Sequence, residues 1–401
     1  MLDQRYRRRW CTPLGSLCLL YALWYYMVVI MRDGTRGSAT DEAPLIKPLG
    51  IKVSGLVFFG RRDRVSCLRC YIEVSRTCRL PTPGTEAIQR NLVDHGGWLD
   101  EVLWVANTED EDDLRLLDDI ISSNPSRHKK LTIPGEKLWV YTYYKAWQHL
   151  ERGKYYVKID DDIVWFHDDA IPKMVMRKIL NPTEFVVSAN VINNPPLGFL
   201  HYHFGAIHPY FPDLSHAETT TDSWKPSHYP YWNGSTDFAW PLHNDPPHEQ
   251  HRWLRVEEDA MLSQTPAAHL KYEVWGDSYK NWAIAAQMHY SLLENIEEDN
   301  LDLYMFDKPW RMDGERIRIN FICLYSNDIL DTNIDTWPRD RGDEDMIAID
   351  LPKALRRPVV VLGEALASHL QYSDQAQLST TDLLTRYRRL ATDGACAATR
   401  W

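Results

Sequence analysis

The chain has no excess of basic residues, since 45 Lys and Arg stand against 56 Asp and Glu for a formal charge of −11. A nucleic-acid surface needs concentrated positive charge, so nucleic acid is not an expected partner beyond a local patch. Cysteine is equally unhelpful to a zinc or redox reading. Cys67 and Cys70 form one C-x-x-C in "CLRC", but no second pair follows at a suitable spacing, which leaves a structural role. Cys11 and Cys18 lie near the N-terminus, and the remainder, Cys67, Cys70, Cys78, Cys323 and Cys396, is odd, so at least one is unpaired or bonded to another molecule. Charge is missing altogether from "WCTPLGSLCLLYALWYYMVVIM", Trp10 to Met31, and no small-x-small cleavage site follows it.

That apolar run is about the length a helix needs to cross a bilayer, and Arg5, Arg7, Arg8 and Arg9 precede it. The positive-inside rule then predicts residues 1–9 as a cytosolic tail, 10–31 as an uncleaved signal anchor and the rest as luminal, a single-pass type II arrangement. A cleaved signal peptide is the alternative, against which the run is long and lacks its cleavage site. Residues 32–50, rich in Gly, Ser, Thr, Pro and mixed charge without periodicity, read as a stem. With 401 residues and 44% hydrophobic content, the chain beyond the stem can bury a large core. The expected domain is 51–373, with 374–401 as a C-terminal tail.

From residue 50 the periodicity alternates. "IKVSGLVFFG", "WLDEVLWVANT", "KYYVKI" and "EFVVSANVI" read as strands, while "RDRVSCLRCYIE", "DEDDLRLLDDIISS" and "LWVYTYYKAWQHLERG" read as helices. Strands alternating with helices predict an α/β fold with a parallel, Rossmann-like sheet. In such sheets ligands bind beyond the carboxyl ends of the strands. Asp160, Asp161 and Asp162 stand at one such end in "KYYVKIDDDIVWF". Charge beside a buried strand is costly unless it is solvated, paired or holds a cation, so a solvated acidic turn and a cation site are the two readings. If the backbone stays extended, Asp160 and Asp162 share a face and Asp161 turns away.

An apolar anchor, a stem, an α/β half and then "KIDDDIV" together resemble the GT-A glycosyltransferases, over residues 50 to about 372. The "KIDDDIV" and "LLENI" segments are most similar to those of a group of fungal glycosyltransferase-like proteins. The resemblance implies a D-x-D motif that binds a nucleotide sugar, UDP- or GDP-linked, through Mn2+ or Mg2+, with Asp160, Asp161 and Asp162 at the donor. It makes Asp162 a direct ligand and gives Asp160 the ribose or the metal through water. A hard divalent cation suits this chemistry because the leaving diphosphate carries charge that must be neutralised. The resemblance also implies an acidic pair at a helix start as catalytic base and a late histidine completing the metal site. Glu344 and Asp345 in "GDEDMIAIDLPKAL", with His369 in "VVVLGEALASHL", fit that order, and Glu258 and Asp259 in "VEEDAM" are the rival pair. The implied protein is a Golgi or other secretory-pathway transferase acting on a glycan, glycolipid or glycoprotein, by inversion if the acidic pair supplies a base, with retention left open.

Other features admit two readings each. Trp224, Trp232, Trp240 and Trp253 can stack on an acceptor sugar or fill core, and His203 offers a polar handle beside them. His201 and His203 share a face if extended, with His208 beyond, which allows a zinc hydrolase. Asn233 in "NGS" is a glycosylation acceptor if luminal. A catalytically silent carbohydrate-binding protein is a further alternative. Residues 74–89, "VSRTCRLPTPGTEAIQ", break the helical stripe of Val65, Leu68 and Ile72, and removing them sets Leu92 four positions after Ile72. This segment reads as an insertion, a retained intron being one source, or as a surface loop.

Overall fold

The computed structural model describes residues 45–73, 91–135, 137–214, 221–241, 243–371 and 373–395. The expected tail, anchor and most of the stem, and the insertion at 74–89, lie outside them. Among the described residues no helix is long and apolar enough to cross a membrane. The chain divides into two units, Met1–Ile46 and Lys47–Trp401, and the second carries every described strand and helix.

The strands are β1 (Val53–Phe59), β2 (Glu101–Ala106), β3 (His128–Leu131), β4 (Tyr155–Asp160), β5 (Ile163–Phe166), β6 (Val186–Ile192), β7 (Tyr210–Pro212), β8 (Trp253–Arg255), β9 (Trp310–Arg311), β10 (Phe321–Tyr325) and β11 (Val359–His369). Nine form one sheet in the order β3-β2-β1-β4-β10-β6-β11-β5, with β9 alongside β11, while β7 and β8 pair separately. β1 is parallel to β2 and β4, β10 runs antiparallel between β4 and β6, and β6 is parallel to β11. β1 and β6 are buried along their whole length, as expected of strands covered on both faces. β3 is parallel to β2, so β3, β2, β1 and β4 form a parallel, Rossmann-like half, and β10 makes the whole sheet mixed.

Chain order reverses beside β1. From β1 the chain goes outward through β2 and β3, then returns to place β4 on the other flank, so the carboxyl ends of β1 and β4 border a topological switch point. Helices Arg62–Ile72 and Glu111–Ser123 follow β1 and β2, the second capped by Asp110, which accepts from the N–H groups of Asp112 and Asp113. The helix expected over 138–153 is reduced to Tyr144–Trp147. Its start is spoiled by Thr142, whose Oγ1 accepts the Trp139 N–H at 2.8 Å and makes a turn, while Asn107 takes the Leu138 N–H at 2.7 Å. The segment "NWAIAAQMHYSLLENI" forms the helix Trp282–Glu297, capped by Asn281 and buried from Trp282 to Asn295.

The segment after 373, expected as a tail, instead carries the helix Leu383–Leu390 with Arg386 and Tyr387 fully buried. Its polarity hid its role, because the buried Arg386 is matched rather than absent: Nε donates to Asp382 Oδ2 at 2.9 Å, and the guanidinium lies 4.1 Å from the Tyr229 ring centroid. Asp382 also accepts from the Tyr290 hydroxyl at 2.5 Å. Arg386→Ala strands the buried Asp382 and is expected to cost about 3–5 kcal/mol in chemical denaturation. A cost under about 1 kcal/mol is the outcome for a tail that merely lies on the surface.

Candidate metal and nucleotide site

The acidic triplet is the turn between two strands that are not neighbours. β4 lies mid-sheet and β5 at the far edge, so the chain must leave the sheet plane at Asp161 and Asp162. Pairing then brings distant residues to the turn. β11 runs antiparallel to β5 with His369 opposite Ile163, which sets His369 beside Asp162. β10 begins opposite Ile159, which sets Asn320 beside Asp160. Asn320 Nδ2 donates to Asp160 Oδ2 at 2.8 Å and lies 3.2 Å from His369 Nε2.

Among the described residues, Asp160, Asp162 and His369 form the one group of three whose ligand atoms come close enough to hold a metal ion, within 4.8 Å of one another. Asp162 Oδ1 stands 3.0 Å from His369 Nε2, yet it is buried without a properly aligned hydrogen-bond donor. Two carboxylates and an imidazole, one oxygen buried and unsatisfied, fit a divalent cation. Burial opposes the charge on Asp162, but His369 and Arg61 outweigh it and hold the carboxyl below the usual carboxylate range.

The backbone turns at Asp161 and Asp162 and is not extended there, so the alternation does not apply, and Asp161 is placed by its own contacts instead. It accepts the Gly60 N–H at 2.7 Å and Arg61 Nη1 at 2.5 Å, tying the turn to the end of β1, and Arg61 Nη1 also reaches Asp162 Oδ2 at 2.8 Å. A β-carbon on Gly60 would stand 3.2 Å from the Asn107 carbonyl oxygen and 3.4 Å from Asp161 Oδ2, so this approach suits glycine. Burial pushes the Asp161 carboxyl up to about 7, with Arg61 opposing and the neighbouring Asp162 and Asp160 adding to the shift. Lys158 is buried beneath, paired with Asp160 and donating to the Ile319 carbonyl at 2.8 Å.

The triplet opens into a cleft of about 730 Å³. Its wall runs from Asn107 after β2, through Gly60, Arg61 and Arg64 after β1 and the aspartates after β4, to Arg316, Arg318 and Ile319 before β10. Asp343, Glu344, Trp275 and Asp374 close that last side.

The structure separates the other candidates. Glu344 lines the cleft but is clamped by Arg316, whose Nε and Nη2 lie 2.9 and 2.5 Å from Oε1. Asp345 pairs with Arg316 and, at 3.3 Å, with Arg341, and it is not among the side chains lining the cleft. Asp343 lines it and is buried, accepting from Trp147 Nε1 at 2.8 Å. Burial pushes the Asp343 carboxyl up to about 6, against the pull of Lys158 and the Trp147 hydrogen bond. Glu258 and Asp259 are exposed at the start of a short 3₁₀ helix, where Asp259 pairs with Arg255 at 2.5 Å, and neither lines the cleft.

The tryptophans expected as an acceptor platform lie elsewhere. Trp240 packs on Trp253 and Trp282, Trp232 packs on Phe211 and Phe238, and Trp224 is buried. None of Trp224, Trp232, Trp240 and His203 lines the cleft. The zinc reading fails on backbone conformation. His201 and His203 sit on the helix Pro195–Phe204, where two positions turn about 200° and point the rings apart. His201 is a buried structural histidine held by Asn190 at 2.7 Å, its pKa pushed down to about 3 by burial, and His208 meets Asn295 at 2.9 Å. Asn233 is exposed. Cys70 is disulfide-bonded and Cys67 is a buried free thiol, so "CLRC" is not a dithiol pair.

Arg61, Lys158, Trp275, Arg316, Arg318 and Asn320 escaped the sequence reading. The rule that singled out Asp160–Asp162, a strand's carboxyl end, applies equally to Gly60 and Arg61 after β1. Asn320 had no such signal, since it depends on β10 running antiparallel.

No family model and no curated protein matches the chain. Among solved structures it is similar to GalNAc-T7 with UDP, GalNAc and Mn2+, at 8% identity over 81% of this chain and 44% of that one, with a TM-score of 0.39. It is also similar to the mannosyltransferase PcManGT from Pyrobaculum calidifontis in complex with GDP-Man and Mn2+, at 11% identity over 96% and 87%, TM-score 0.37. A third is glucosyl-3-phosphoglycerate synthase from Mycobacterium tuberculosis in complex with Mn2+, UDP and phosphoglyceric acid, at 12% identity over 35% and 44%, TM-score 0.24. The chain thus spans less than half the length of the first of these. All three of those structures hold Mn2+.

Proposed function

We propose that the chain is a metal-dependent glycosyltransferase of GT-A type, taking sugar from a UDP- or GDP-linked donor to a glycan, glycolipid or glycoprotein. We further propose a type II secretory-pathway protein anchored by residues 10–31. The observation that supports the catalytic reading is the convergence of Asp160 at the end of β4, Asp162 in the turn that follows and His369 at the end of β11, beside the switch point of a parallel half-sheet, with both aspartates lining a cleft of about 730 Å³. Mn2+ or Mg2+ held by these three groups would supply positive charge against the leaving diphosphate.

The chain's own residues do the rest. Arg61 and Arg64, where the helix Arg62–Ile72 begins, line the β1 side and are placed to meet a phosphate, Arg61 while also bonded to Asp161 and Asp162. Asp343 is the better base. It lines the cleft, no guanidinium is bonded to it, and a carboxylate with a pKa near 6 accepts a proton more readily than one neutralised by arginine, as Glu344 and Asp345 are. A base opposite the leaving group favours direct inverting displacement.

Calorimetry of Mn2+, UDP and GDP, with nucleotide-sugar hydrolysis followed with and without Mn2+ or zinc, tests this. Nucleotide binding is expected to require Mn2+, and hydrolysis to follow it. Nucleotide binding indifferent to the cation defeats the metal reading, and binding without any turnover leaves a silent sugar-binding protein.

A further inference from the structure

The order of strands gives the cleft a direction. Asn107, then Gly60 and Arg61, then Asp160 to Asp162 follow the carboxyl ends of β2, β1 and β4, and the residues before β10 come last. If the nucleotide occupies the switch point on the β1 side, as the glycosyltransferase reading requires, the space beyond the aspartates is left for the second substrate.

That far side is built around Trp275, which is 48% exposed although it lines the cleft. The Arg316 guanidinium is 4.3 Å and that of Arg318 4.7 Å from its ring centroid, and Arg318 is also 4.4 Å from the Tyr279 ring. Both arginines are fixed in turn by carboxylates: Arg316 by Glu344 and Asp345, Arg318 by Asp374 at 3.3 Å. The indole is therefore held in place before any ligand arrives, which reduces the entropy lost on binding.

The charge on this side selects the ligand. Of the groups lining the cleft here, Arg316 pairs with Glu344, Arg318 pairs with Asp374, and Lys158 faces Asp343, so each cation already has a carboxylate. An acidic acceptor would have to break one of these pairs to find a cation. An uncharged sugar instead finds an aromatic surface for its C–H face and carboxylates that accept its hydroxyls. We propose that the β10 side of the cleft is an acceptor subsite for a neutral sugar, with Trp275 as its stacking surface.

Ligand-observed saturation-transfer NMR on the full chain tests this, with and without Mn2+ plus UDP or GDP. The probes are the methyl glycosides of glucose, galactose and mannose, against glucuronic acid and glucose 6-phosphate. At least one methyl glycoside is expected to bind and both acidic probes to fail. Trp275→Ala should weaken that binding about fivefold or more, with Trp275→Phe restoring most of it. Stronger binding of the acidic probes, undiminished binding in Trp275→Ala, or no methyl glycoside bound under either condition overturns the subsite. Loss of Mn2+-dependent nucleotide binding in the unsubstituted chain overturns the glycosyltransferase reading alone, because the sugar titration without nucleotide still decides the role of Trp275.

Discussion

Asp162→Asn and His369→Ala are each expected to weaken Mn2+ binding by about 100-fold or more, and nucleotide binding with it. Each removes one of only three donors, and second partners of metal ligands alone are commonly worth about 10- to 100-fold. The two variants should differ in stability. Asp162→Asn leaves Arg61 with Asp161 alone and takes the carboxylate from beside His369. His369→Ala removes a side chain that is only 2% exposed and leaves Asp162 with Arg61. Calorimetry of Mn2+ alone, then of UDP and GDP at saturating Mn2+, separates loss of the cation from loss of fold. Unchanged Mn2+ affinity in both variants would make the triplet an ion-paired turn and end the metal reading.

How far this site was legible depends on which interactions are local. Asp160 to Asp162 stood out because a buried strand and its polar end adjoin in the chain, whereas the placement of Asp161 is set by the turn and by Gly60 and Arg61, which the two-residue period does not reach. His369 was reached through family resemblance, and its contact with Asp162 depends on β5 lying across from the end of β11. No local pattern specifies that pairing. The short strands β3, β5, β9 and β10 were missed for the same reason, since two to five residues carry too little periodicity to separate a strand from a loop. Trp275 was passed over in favour of the four tryptophans between 224 and 253, which are more densely clustered in sequence. Clustering there reflects an aromatic core of stacked and edge-on rings. The tryptophan proposed as a stacking surface lies instead half-exposed beside two arginines.

Asp343→Asn is expected to lower kcat by on the order of 10² or more while Mn2+ and donor affinity change little, because a general base acts mainly in the transition state. Asp345→Asn should cost less in kcat, since Asp345 faces Arg316 and Arg341 rather than the cleft, and Asp259→Asn should cost nothing measurable from its exposed position. The pH profile gives an independent reading. A carboxyl at about 6 is an active base only when ionised, so kcat should fall as pH drops below about 6 and level off above it. Stability runs in the opposite sense. The folded-state pKa of Asp343 is raised above the unfolded value near 4, so ionising it in place has no cost at low pH and carries its full penalty above about 6. Asparagine cannot ionise and can still accept the Trp147 N–H. The variant should therefore be as stable as the parent at pH 4 and more stable, by at most a few kcal/mol, at pH 7.5. A variant that loses activity and gains stability in that window is what a base held in an unfavourable environment for its function predicts. Full activity in Asp343→Asn with a collapse in Asp345→Asn would return the base to the arginine-paired carboxylate and require Arg316 to move away during turnover.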